Sequence, residues 1–251
     1  MAGSPSFPRN RYWILRHGKS IPNDIGVIVS SMENGTLEKY QLCPEGVDQA
    51  KAAGELFLKE LKENNIPIEN VRICYSPFSR TTQTAKIVAS VLNISLEGPQ
   101  GKVIEDLKER YFGPTFELGS HEKYPEIWDL DAKDPSSRPE GGESVFDVVY
   151  RLSIALETIE SEFQGKGNCL SVSYFSKAPY QQMTDSLLCA ILMVSHGDPL
   201  QILQTVFNAI KHQSGFENID IASSIEAVKT TSVLAQHRNF GLDTAELRRL
   251  V

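Results

Sequence analysis

Residues 11–20 read RYWILRHGKS, and residues 187–198 read LLCAILMVSHGD. Each apolar run stops against a histidine followed by glycine. Apolar residues that run consecutively, instead of alternating, describe a strand covered on both faces, as in a parallel sheet flanked by helices. A buried strand that ends in Arg16 and His17 carries a cation and an imidazole that are costly to desolvate unless something pairs with them. A ligand is therefore expected at that strand end.

Working outward, residues 12–15 predict the first strand and residues 71–75 a second, ended by Ser76-Pro77. Residues 187–194 predict a third. Between them lie helical patterns. Val47, Ala50, Ala53, Leu56, Phe57 and Leu61 recur at helical spacing over residues 45–61, and Ala85, Val88, Ala89 and Leu92 share one face after Ser79, a candidate N-cap. Residues 144–163 combine the capping-box pattern of Ser144 and Asp147 with an apolar stripe from Val145 to Phe163. Residues 200–209 resume helical spacing, while 225–228 and 232–235 read as weaker β-type runs. Strands alternating with helices predict an α/β fold with a mostly parallel central sheet and helices on both faces, a three-layer α/β/α sandwich. In such sheets ligands bind beyond the carboxyl ends of the strands, so the two histidine-bearing ends should open into one crevice.

The chain of 251 residues, 41% hydrophobic and 23% charged, is ordinary for a globular protein and is expected to form one domain over residues 1–251. A net charge of −7 argues against a nucleic-acid or anionic-membrane surface, so any anion must be held locally. The four cysteines, Cys43, Cys74, Cys169 and Cys189, lie far apart without C-x-x-C spacing, and they suggest neither a zinc site nor a redox pair. With no leader-like start and no apolar run long enough to span a bilayer, the expected setting is cytoplasmic and no membrane partner is expected. Oligomeric state has no signature here.

Arg16, His17, Arg80 and His196 suit a tetrahedral dianion, because guanidinium forks match phosphate oxygens. A neutral imidazole becomes a nucleophile when its other ring nitrogen donates to a carbonyl, and Gly18 would let a carbonyl approach His17. Alone, Arg80 reads as a solvated helix residue and His196 as a core histidine; their setting at strand ends singles them out. His121, His212 and His237 have no such setting and are expected to be structural or surface residues. A His196–Asp198 metal pair lacks the surrounding ligand cluster, and no metal or cofactor is expected.

In combination these residues resemble the histidine phosphatase superfamily, the phosphoglycerate mutase-like family. The resemblance runs from Leu15 to about Leu200. It is carried by "LRHGKS" with Asn23 six residues after His17, "LCPEGVDQA" at 42–50, "SPFSRTTQTA" at 76–85, "LKERYFG" at 107–113, "PEGGES" at 139–144 and "VSHGD" at 194–198. It implies that His17 is phosphorylated and that Arg16, Arg80 and His196 hold the phosphoryl group. It further implies that Asn23, Arg110 and Gly197 border the substrate and that Glu109 is the general acid; Glu105 and Asp106 are alternatives nearby. The implied activity is hydrolysis of a small phosphorylated metabolite. The stretch 113–144 is short and acidic, with only Lys123, Lys133 and Arg138, whereas a mutase needs extra cations to retain a twice-phosphorylated intermediate. A mutase-type phosphotransferase and a catalytically weak phospho-ligand binder remain the alternatives. Three departures stand out: "FGPTFELGS" after the acid motif, the absence of an arginine after His196, and residues 165–186, read as an insertion because such connections are usually a few residues long.

Overall fold

A computed structural model describes residues 8–163, 188–212 and 221–250. The expected insertion at 165–186 lies outside the described residues. Strands β1 (Arg11–Arg16), β2 (Val71–Tyr75), β3 (Gly101–Val103), β4 (Ala190–Ser195) and β5 (Leu247–Arg249) form one sheet in the order β3-β2-β4-β1-β5. All neighbours are parallel except β5, which runs antiparallel to β1. The described helices, in chain order, are α1 (Ile21–Ile25), α2 (Met32–Gly35), α3 (Pro44–Glu63), α4 (Ser79–Leu92), α5 (Tyr124–Lys133), α6 (Val145–Glu162), α7 (Gly197–His212), α8 (Ile221–Val228) and α9 (Thr231–Leu234).

The consecutive apolar runs have the expected cause. In β1, Tyr12 and Ile14 face a core completed by Ile191 and Met193 of β4 and by α6 and α7. Trp13 and Leu15 point the other way, into a core with Leu192 and Val194 and with α3 and α4. A strand alternates its side chains, so covering both faces demands apolar residues at every position. The chain is thus a three-layer α/β/α sandwich.

Local signals explain most boundaries. Pro44 opens α3, where its missing N–H costs nothing. Ser144 caps α6 through the reciprocal box with Asp147. Ser79 does not cap α4. Phe78 holds the extended N-cap backbone with no side-chain cap, so Ser79 is already helical and its hydroxyl has no partner. The β-type runs at 225–228 and 232–235 are also corrected: they lie in α8 and α9. Ile225 and Val228 are three apart and both enter the core against α6 and α7, a pattern that short apolar runs share with strands. Among the described residues no helix is long and apolar enough to cross a membrane.

Register sets the site. Arg16 pairs with Ser195, so the residues that follow, His17 and His196, leave the sheet side by side, and the His17 amide donates to Ser195 O at 3.0 Å.

Candidate active site

His17 and His196 meet edge to face with ring centroids 5.2 Å apart, both buried. His17 Nδ1 lies 2.7 Å from the carbonyl oxygen of Gly18, which can only accept, so this nitrogen carries the proton. The Nε2 lone pair then faces Arg80, whose Nε donates to it at 3.1 Å. Burial, with the charges of Arg80 and Arg16, holds the imidazole well below its ordinary pKa and therefore neutral. The expected ring-to-carbonyl contact is present, but the reason for Gly18 differs from the expectation. A Cβ there would collide with the carbonyl of Gly46 at the start of α3, and a Cβ on Gly46 would collide with that of Lys19. Two glycines let the loop after β1 lie directly on the helix.

Arg80, in the first turn of α4, donates Nη2 to Val29 O at 3.0 Å, and its Nη1 has no partner. Arg16 donates Nη1 to Leu242 O at 2.6 Å, while its Nε is buried and unpartnered. His196 lies with Nε2 2.8 Å from Ser76 Oγ, leaving Nδ1 buried without a partner. Its ring is kept neutral by burial and by the neighbouring cations, Arg80 foremost. Three buried nitrogens from three elements are therefore unpartnered around one neutral histidine. Buried polar groups are otherwise nearly always satisfied, so the arrangement is that of an anion site.

Glu109 supplies the carboxyl group. Its Oε1 accepts from the Arg110 amide at 2.9 Å, and its Oε2 lies 3.9 Å from His196 Nδ1 and 4.0 Å from Arg80 Nη2. Burial, then the charge of Asp198, raises its pKa to about 7 against the pull of Arg80, the Arg110 amide and Arg16. Glu105 is exposed and pairs with Lys108, and neither it nor Asp106 borders the cavity.

A half-open cavity of about 480 Å³ extends from these groups. Asn23 and Gly197 line it. The Asn23 Oδ1 is occupied by Ser20, so its amide is what it can offer. Arg110 does not line it. Its guanidinium is fully buried, donates two hydrogen bonds to the Asp131 carboxylate at 2.6 and 2.8 Å and a third to Glu143 O at 2.8 Å, so the expected contact with substrate is corrected to an internal ion pair. His121, set aside as structural or surface, borders the cavity, whereas His237 is buried 3.3 Å from Asp131. The sequence reading missed Tyr124 and Trp128 of α5, and also Arg238 and Leu242 of the loop before β5. Aromatic spacing on α5 was available as a signal; a backbone carbonyl such as that of Leu242 has none. Among the described residues no group of three or more His, Cys, Asp or Glu side chains is placed to hold a metal ion.

The family model described as histidine phosphatase superfamily, branch 1, matches residues 12–230. Solved structures share the fold. One is titled mycobacterial hydrolase 1 (TM-score 0.60, 19% identity, covering 95% of this chain and 87% of that one). A second is a mycobacterial glucosyl-3-phosphoglycerate phosphatase complexed with VO3 (TM-score 0.60, 18% identity, 95% and 90%). A third is a putative alpha-ribazole-5'-P phosphatase from Escherichia coli (TM-score 0.51, 20% identity, 86% and 84%). No curated protein sequence matches the chain.

Proposed function

Given that the chain belongs to the histidine phosphatase superfamily, we propose that it is a phosphomonoesterase acting on a small phosphorylated metabolite through a phosphohistidine at His17. The observation that carries this reading is the trio of unpartnered buried nitrogens, Arg16 Nε, Arg80 Nη1 and His196 Nδ1, around a neutral histidine whose tautomer leaves Nε2 as the nucleophile.

In the first step Arg80 Nε releases His17 Nε2 and turns to a phosphoryl oxygen. Nε2 then forms the N–P bond as the P–O bond to the leaving group breaks, in line. Glu109 gives its proton to the departing oxygen. In the second step the Glu109 carboxylate takes a proton from water, which attacks phosphorus. The N–P bond breaks and its electron pair returns to Nε2. Arg16, Arg80 and His196 stabilise the charge on the equatorial oxygens in both steps. Charge stabilisation is assigned to these side chains, so turnover is expected to be metal-independent.

Hydrolysis is favoured over mutase-type transfer by what surrounds the site. Beyond Arg16 and Arg80, the cations lining the cavity among the described residues are Lys19 and Arg238, and Lys19 is held by Asp24 at 2.8 Å and Glu45 at 2.9 Å. The test is phosphate release from p-nitrophenyl phosphate and alkyl phosphates with and without EDTA, beside trapping of an acid-labile phosphoenzyme. Release with EDTA present, and loss of the phosphoenzyme in His17→Ala, are expected. Failure to release phosphate from any ester, with phosphate still bound, would leave the protein a binder.

A further inference from the structure

Arg238 borders the same cavity, but the phosphoryl chemistry does not use it. It sits on the short turn His237–Phe240, and its guanidinium carbon lies 3.2 Å above the ring centre of Trp128. Trp128 in turn stacks on Tyr124, one helical turn earlier in α5, with rings 5.6 Å apart and 5° from parallel. Stacking fixes the plane of a guanidinium while leaving its N–H edge open. That edge is unused: among the described residues the Arg238 side chain makes no hydrogen bond and no ion pair. The nearby carboxylates do not fill it. Asp131 takes Arg110 with both oxygens, and Asp198 takes Gln201 and Arg110. Burial lowers the pKa of Arg238 against the opposing charges of Asp198 and Asp131, and neither carboxylate caps its donors.

We infer that Arg238, held flat on Trp128, binds a carboxylate on the leaving group of the substrate, so that the enzyme selects phosphorylated acids over neutral phosphoesters. The inference rests on the reading above, which assigns Arg16 and Arg80 to the phosphoryl end. A planar fork of donors matches a carboxylate in two parallel hydrogen bonds. A second phosphate dianion would call for another cation, and Lys19 is already engaged by two carboxylates. A stacked base is disfavoured, because the guanidinium covers the face of Trp128 that it occupies. A cavity of about 480 Å³ has room for such a leaving group beyond the phosphoryl site.

The test uses two ligands that share the configuration at C2 and differ only at this point, D-3-phosphoglycerate and sn-glycerol 1-phosphate, where a carboxylate is replaced by a hydroxymethyl group. Dissociation constants are measured by calorimetry on the full chain carrying His17→Ala, so that turnover does not intervene. The expected result is at least about tenfold tighter binding of the acid, of the size found for a charge-assisted pair. Adding Arg238→Gln should collapse that ratio toward one, and Arg238→Lys should restore part of it. Equal affinities for the two ligands with Arg238 in place would overturn the inference, and so would an Arg238→Gln variant that keeps the ratio. If the wild-type chain releases no phosphate from any ester, the hydrolase reading fails, yet the binding ratio still decides the role of Arg238.

Discussion

Replacing Glu109 by glutamine tests its proposed role as the proton donor apart from everything else at the site. An ordinary glutamic acid would be protonated in roughly one molecule in three hundred at pH 7. With its pKa raised to about 7, Glu109 is protonated in half of them. Burial and Asp198 therefore enlarge the acid population by roughly a hundredfold, which suits a group working near neutrality. Single-turnover formation of the phosphoenzyme should show this for an alkyl phosphate, with the rate falling about tenfold per pH unit above the pKa of the acid. Glu109→Gln should abolish that limb and lower the rate by about 10²–10⁴. A nitrophenolate leaves without help, so p-nitrophenyl phosphate should phosphorylate His17 at a nearly unchanged rate. The same variant has a stability signature. Between the ordinary carboxyl pKa of 4.5 and about 7 the folded state binds more protons than the unfolded state, so stability falls as pH rises through that window and stays lowered above it. Glutamine removes the cost: the melting temperature should rise at pH 8 and stay unchanged at pH 4.5. Equal slowing of both substrates would refute Glu109 as the proton donor, and an unchanged melting temperature at pH 8 would refute the buried carboxylate.

Three further outcomes follow from the geometry. Gly46→Ala sets a methyl group against the Lys19 carbonyl, a backbone overlap that side-chain rotation cannot relieve. It should cost about 1–3 kcal/mol and several degrees of melting temperature, together with activity; an unchanged melt would show that the two backbones can part. Glu117 accepts from the amides and hydroxyls of Ser30 and Ser31 and from Asn34, at 2.7 to 3.0 Å. Burial works against its charge, yet these donors outweigh it and keep the pKa low. The stabilisation is therefore present above the unfolded carboxyl pKa and lost as pH falls through the folded one. Glu117→Gln should cost about 1–3 kcal/mol at pH 7 and less at pH 3, and an equal loss at both would count against the charge. Asn10 joins the two ends of the connection after α6, donating to Phe163 O at 3.3 Å and accepting from the Cys189 amide at 3.1 Å. Replacing residues 164–187 with four Gly and Ser residues should thus leave the melting temperature unchanged or raise stability by about 1–2 kcal/mol through loop entropy; a marked fall would show that the segment supports the core.

What was legible in the sequence, and what was not, divides along one physical line. Strands β1 and β4 and the two histidines could be read because double-sided burial forces an unbroken apolar run, and α6 because its cap is made of side chains. Strands β3 and β5 could not: each has three residues at a sheet edge, where one side is open and no apolar run is required. Arg110 was misassigned because adjacent residues in an irregular segment can turn opposite ways. Glu109 faces the cavity, and Arg110 turns inward to Asp131, a partner twenty-one residues away that no local pattern announces. The same limit reaches the centre of the site. His17, Arg80 and Arg16 could be picked out by residue type, but what aims them is the backbone oxygen of Gly18, Val29 and Leu242. A carbonyl is present at every residue, so its use as an acceptor leaves no mark on composition or spacing. Side-chain substitutions at Val29 or Leu242 keep that acceptor in place, and they disturb Arg80 or Arg16 only as far as they move the backbone that carries it.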